Sequence, residues 1–203
     1  MKRILPCLLG VVFCFGAIAA AQATISPTDR VKQAVDGILV VLRDARLARE
    51  ERWEEIGLII RQRFDIESMA QSVVATNWKK ATLEEKRDFI EFFSQYLEYT
   101  YRKKIEGYTN EEVVFAAETI RGDRATVETS IVMDAADVPV VFKMRLNDGD
   151  WYAYDVVVEG VSLIRNYRDT FAAIVRSQGM DGLILNLQDS IAKYKSEQPS
   201  DSN

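Results

Sequence analysis

Residues 124–168, RATVETSIVMDAADVPVVFKMRLNDGDWYAYDVVVEGVSLIRNYR, decide the fold. Ala125, Val127, Thr129, Ile131 and Met133 alternate with Arg124, Thr126, Glu128 and Ser130, and Val138, Val140, Phe142, Met144 and Leu146 alternate with Val141, Lys143 and Arg145. A period of two puts successive side chains on opposite faces, so these runs are strands. Asn147-Asp148-Gly149-Asp150, and Arg121-Gly122-Asp123-Arg124 upstream, have the composition of tight hairpin turns. From Glu112 onward the pattern therefore predicts four antiparallel strands with one face buried and one largely wet. The last strand ends at the turn Glu159-Gly160, and the chain leaves it as a helix from Ser162.

Upstream the period is helical. Ser26-Pro27 reads as an N-cap followed by proline in the first turn, and Val31, Ala34, Val35, Ile38, Val41, Leu42 and Ala45 then recur on one face. A second helix runs from Glu51 to Arg63, and Asp65 caps a short third one that reaches Trp78. Thr82-Leu83-Glu84-Glu85 is a capping box, opening a long helix that Gly107 ends. Phe89, Phe92, Phe93, Tyr96, Leu97, Thr100 and Tyr101 form an aromatic stripe along it, the ordinary signature of a core-facing surface. Two more helices, Ser162 to about Ser177 and Asp181 to about Lys195, close the chain. Helices, then a meander, then helices predict an α+β domain in which helices pack over one face of a curved four-stranded antiparallel sheet. Its shape would be an NTF2-like cone with added helices.

Lys2 and Arg3, an apolar run from Ile4 to Ala19, and the small-x-small site Ala21-Gln22-Ala23 predict a signal peptide over residues 1–23. A single domain, 24–197, and a polar tail, 198–203, follow. Both cysteines, Cys7 and Cys14, fall in the segment to be removed, so the remaining chain has no thiol for a disulfide or a metal. The 26 basic groups, less Lys2 and Arg3, leave 24 against 31 acidic ones, a net of −7 that argues against nucleic acid as a partner.

With no histidine, Ser-His-Asp and Cys-His chemistry and imidazole metal sites are excluded. Glycine-rich phosphate loops are also missing. The best enzymatic candidate is Asp155, between Tyr152 and Tyr154, as a base acting on a small apolar substrate. Strict alternation places it with Trp151 and Ala153, opposite Tyr154, Val156 and Val158, and the plainer expectation is that it pairs with an arginine on the neighbouring strand, such as Arg145. A third possibility is an exported interaction module with a filled core.

Trp151-x-Ala153-Tyr154-Asp155, Glu159-Gly160-Val161-Ser162-Leu163-Ile164, Asn166-Tyr167-Arg168 and Gly179-Met180-Asp181-Gly182-Leu183 resemble the MlaC family of periplasmic phospholipid-binding proteins. The looser upstream match runs through Phe64-Asp65, Met69-Ala70, Trp78-x-x-Ala81-Thr82 and Thr100-Tyr101. Ala75-Thr76-Asn77 lacks the glycine expected just before the tryptophan. The resemblance implies a monomeric, non-enzymatic periplasmic carrier that uses no cofactor and holds a phospholipid as cargo. It would shuttle lipid between an outer-membrane lipoprotein complex and an inner-membrane ABC transporter complex with an MCE domain, maintaining outer-membrane lipid asymmetry. On this reading the cavity wall comprises Val127, Ile131, Val140, Phe142, Met144, Tyr154, Val156 and Val158 on the sheet. Phe93, Leu97 and Tyr101 lie opposite, with Val161 near the entrance and weak headgroup contacts from Arg165 or Arg168.

Overall fold

Each helix starts where a side chain satisfies free backbone donors. In the computed structural model, which describes residues 25–107, 111–133 and 136–197, Ser26 Oγ accepts a 3.0 Å hydrogen bond from Asp29 N at the head of α1 (Pro27–Arg43). Helix α2 (Arg49–Arg63) begins after Ala48, whose own N–H donates to Glu51 Oε2 at 2.8 Å. Asp65 caps α3 (Ile66–Val74) by accepting from Ser68 N at 2.9 Å. Thr82 and Glu85 close the expected capping box at the start of α4 (Leu83–Glu106), with bonds of 3.1 and 2.6 Å. The expected signal peptide and polar tail lie outside the described residues.

The turn between α3 and α4 is a short 3-10 segment, Ala75–Lys79, entered through Ala75 at φ 51° and ψ −120°. A left-handed φ of this kind favours glycine, so the missing glycine leaves the turn intact at the expense of local strain.

The meander forms as read, β1 (Glu112–Arg121), β2 (Arg124–Val132), β3 (Val138–Asn147) and β4 (Asp150–Val158), all antiparallel neighbours. A two-residue fifth strand, β5 (Val161–Ser162), extends the sheet after the Glu159-Gly160 turn, where both residues have positive φ. Helix α5 (Leu163–Glu197) consists of the two expected helices run together across Gly179, whose φ 73° and ψ −171° are accessible to glycine alone.

One side chain of β4 breaks the alternation. Lys143 pairs with Asp155 and Met144 with Ala153, leaving Tyr154 as the extra residue of a β-bulge. Trp151 and Ala153 therefore share the inner face with Val156, and Asp155 turns to the other side with Lys143. Tyr154, read as inward-facing, instead lies over Arg124 and Arg145, its ring centroid 5.3 and 5.7 Å from their guanidinium carbons. Asp155 pairs with Lys143 at 2.9 Å rather than with Arg145, which donates to Ser68 Oγ at 3.3 Å.

Helix α1 crosses the inner face, where Val31 packs with Ala125, Val127, Met144 and Trp151. Helices α3, α4 and α5 build the largest core cluster beside the sheet, around Met69, Val73, Phe89, Phe93, Leu183 and Leu187.

Candidate functional site

The aromatic stripe on α4 changes role along its length. Its first half is solid. Phe89 and Phe93 are fully buried, stacked at 5.5 Å, and each meets Phe171 edge-on. Tyr167 joins them at 5.9 Å from Phe93, its hydroxyl 3.5 Å from that of Tyr101. Burial first, and then the Tyr101 contact, push the Tyr167 phenol far above its ordinary range, so it stays protonated.

The second half of the stripe is hollow. Leu97, Tyr101 and Ile105 face a cavity of about 150 Å³ between α2, α3, α4 and the sheet, completed by Ile60, Phe64 and Val156 among others. A second lobe of about 140 Å³ lies between α1 and the inner face of the sheet, lined by Ile38, Leu42, Ile131, Val140 and Phe142. Ile105 lines both. Phe142 of the second lobe is also the cross-strand partner of Val156 of the first, so an apolar tract runs across the sheet beneath α1 and α4. Thr129 lies in that wall too, and its hydroxyl donates to Val140 O at 2.9 Å. This bond satisfies the buried hydroxyl within the sheet and keeps the lining effectively apolar.

Of the expected wall residues, Leu97, Tyr101 and Val156 line the first lobe and Ile131, Val140 and Phe142 the second. Phe93, Val127 and Met144 are buried in solid core. Tyr154 is on the opposite face, for the reason given by the bulge. Val158 lines neither lobe, and nor does Val161, which is 58 % exposed on β5. Arg168 donates to Ser72 O at 2.8 Å, and neither it nor Arg165 lines a lobe. Sequence reasoning missed Ile105, Thr129 and the α1 and α2 residues. The apolar stripe of α1 was visible, but not the surface it would face.

Asp155 is fully occupied by architecture. It is 4 % exposed. Its Oδ2 accepts from Lys143 Nζ at 2.9 Å and Ser162 Oγ at 2.8 Å, and its Oδ1 accepts from Ile164 N at 3.2 Å. Ser162 Oγ in turn accepts from Arg165 N at 3.1 Å. The carboxylate thereby ties β3, β4 and β5 to the first turn of α5, where negative charge is favoured by the helix dipole. It borders neither lobe. Among the described residues no group of acidic side chains could hold a metal ion, and no helix is long and apolar enough to cross a membrane.

A family model described as the MlaC protein matches residues 32–189, which includes every lobe-lining residue named above. The chain belongs to the MlaC family. Among relatives of this chain is the intermembrane phospholipid transport system binding protein MlaC of Haemophilus influenzae, 23 % identical over 203 residues, covering 95 % of each chain. The toluene tolerance protein ttg2D of Pseudomonas putida is 28 % identical over 120 residues, covering 58 % of this chain and 56 % of its own. A phospholipid-binding protein from Ralstonia solanacearum, solved in complex with a phospholipid, has the same fold. Its TM-score is 0.76 at 21 % identity, over 84 % of this chain and 99 % of that one.

Proposed function

We propose that this MlaC-family chain is a periplasmic phospholipid carrier whose two apolar lobes receive acyl chains. Residues 1–23 direct export and are removed, and residues 24–197 act as one monomeric lipid-binding domain without cofactor or catalysis. The carrier exchanges lipid with an outer-membrane lipoprotein complex and an inner-membrane MCE-domain ABC transporter complex, in the service of outer-membrane lipid asymmetry. The observation that carries this reading is the apolar tract shared by both lobes through Ile105.

Ten buried methylenes contribute about 8 kcal/mol against water, the free energy of a micromolar dissociation constant. Against a bilayer the same term nearly cancels, because the chains leave one apolar medium for another. A carrier of this kind holds its cargo in transit and still exchanges it at a membrane complex. Each lobe has the size of a cavity that takes a benzene-sized guest. Acyl chains therefore require the lobes to merge around Ile105, with α1 and α2 giving way.

The test is native mass spectrometry, followed by organic extraction, on the exported chain purified without detergent. One phospholipid per chain is expected. Val140→Glu, which puts an unpaired charge into the second lobe, should empty it, whereas Val161→Glu on the exposed edge should not. Wild-type protein that is empty and takes no lipid from vesicles would overturn the reading.

A further inference from the structure

Beside the first lobe is an open groove of about 340 Å³ between the α2–α3 junction and the β3–β4 hairpin. Arg61, Phe64 and Ile66 line both spaces, so the apolar cavity and the groove adjoin at these side chains. The groove adds Asp65, Glu67, Asn147 and Tyr152. It therefore offers one guanidinium, two carboxylates and two neutral hydrogen-bonding side chains beside a largely apolar pocket.

Arg61 is held there by an absence. Gly57, one turn earlier on α2, has no side chain, and a Cβ at that position would lie 3.0 Å from Arg61 Nη1. The guanidinium folds back into this space, at the rim of the lobe. Among the described residues it forms no ion pair and no hydrogen bond. The nearby Glu98 is committed to Arg102 at 2.7 Å. Asp65 uses Oδ1 to cap α3, leaving its other oxygen for the groove. Glu67 is exposed and, among the described residues, has no partner.

Resting on the carrier reading, we propose that this groove is the headgroup seat and that it favours a zwitterionic phospholipid ending in a primary ammonium. The phosphodiester lies against Arg61, whose planar fork suits two phosphate oxygens. The ammonium lies toward Asp65 and Glu67, and Asn147 and Tyr152 serve the remaining polar atoms. A headgroup ending in hydroxyls supplies no charge to the two carboxylates, and a diacylglycerol leaves Arg61 unused. Because the groove is open to water, these pairs are partly screened, and the preference expected is about three- to five-fold.

The exported chain is incubated at low salt with vesicles containing phosphatidylethanolamine, phosphatidylglycerol and diacylglycerol with identical acyl chains. Bound lipid is then counted by native mass spectrometry and normalised to vesicle composition. The wild type should favour phosphatidylethanolamine over phosphatidylglycerol about three- to five-fold, and both over diacylglycerol. Glu67→Gln should move the first ratio toward one. Arg61→Ala should remove the preference for phospholipid over diacylglycerol, and Arg61→Lys should restore part of it. Both side chains are exposed, so these variants fold. Wild-type uptake in proportion to vesicle composition, or ratios unmoved by the variants, overturns the headgroup seat while leaving the carrier standing. A wild type that takes up no lipid of any class overturns both.

Discussion

Ile105 is the side chain that divides the two lobes, so its size should control lipid capacity and stability in separable ways. Ile105→Ala removes three carbons from a half-buried position that packs against Leu42, Trp53 and Ile56. Full burial would make the loss about 2.4 kcal/mol, so half-burial gives about 1 kcal/mol, a fall of about 2–4 °C in Tm for a domain of this size. Ile105→Trp overfills the partition and costs about 1–3 kcal/mol. Stability therefore falls in both variants. Lipid binding should move in opposite directions. Joining the lobes lets an acyl chain bury further, each extra methylene being worth about four-fold in affinity, whereas the indole blocks the passage. Uptake of fluorescent phospholipid from vesicles, with native mass spectrometry for stoichiometry, reads capacity, and thermal unfolding reads stability. If both variants lose lipid in proportion to their lost stability, Ile105 is merely core and the lobes are not a shared acyl site.

Asp155→Asn should lower Tm by about 3–12 °C, from loss of roughly 1.5–3 kcal/mol of charge-assisted hydrogen bonding, without changing lipid uptake per folded molecule. The loss stays below that of a fully buried pair because the Lys143 side chain is 36 % exposed and can rehydrate. Reduced uptake by folded protein would return Asp155 to the site. Ala75→Gly should raise Tm by a few degrees, since relief of about 1–3 kcal/mol of backbone strain exceeds the roughly 0.5–1 kcal/mol entropic cost of glycine. A lower Tm in calorimetry would show that the turn is unstrained. Burial pushes the Glu106 carboxyl up, but hydrogen bonds from Arg49 Nε and Trp53 Nε1, both 2.7 Å, more than offset this and hold it below its ordinary value of 4.5. A lowered folded value means that this stabilisation is present above pH 4.5 and is lost as the pH falls through the folded pKa. Glu106→Gln should therefore destabilise clearly at pH 7 and progressively less toward pH 3, a convergence that unfolding curves across this range would detect or refute.

Local chemistry made most of the fold legible. Ser26, Asp65 and Thr82 cap their helices by bonds to donors three residues away, and Gly122 and Gly149 supply the positive φ of the hairpin turns. Such features depend on short range and survive without knowledge of the partner element. Half of the candidate wall was legible for a similar reason, since Ile131, Val140 and Phe142 occupy regular inward positions on strands. Of the other half, Phe93, Val127 and Met144 sit at equally regular positions that the core fills, and Tyr154 and Val161 depart from the expectation where regularity ends. The bulge at Tyr154 shifts one strand by one residue, and an extra residue in a strand leaves no mark on an otherwise apolar run. Val161 had a family resemblance but belongs to a two-residue edge strand whose side chain points into solvent.

What the amino-acid sequence determined by itself was the order and type of elements, the helix starts and turns, and, through the absence of histidine and of thiols after residue 23, the chemistry that is excluded. What only the tertiary structure decided was where apolar surface meets apolar surface and where it leaves a gap. Phe93 and Leu97 are neighbours on one helical face with the same hydrophobic character. Phe93 is buried among rings from α5, whereas Leu97 borders a cavity because α2 and the sheet stand off from it. A sequence records that a side chain avoids water, but filling or emptiness is a property of the distance between elements.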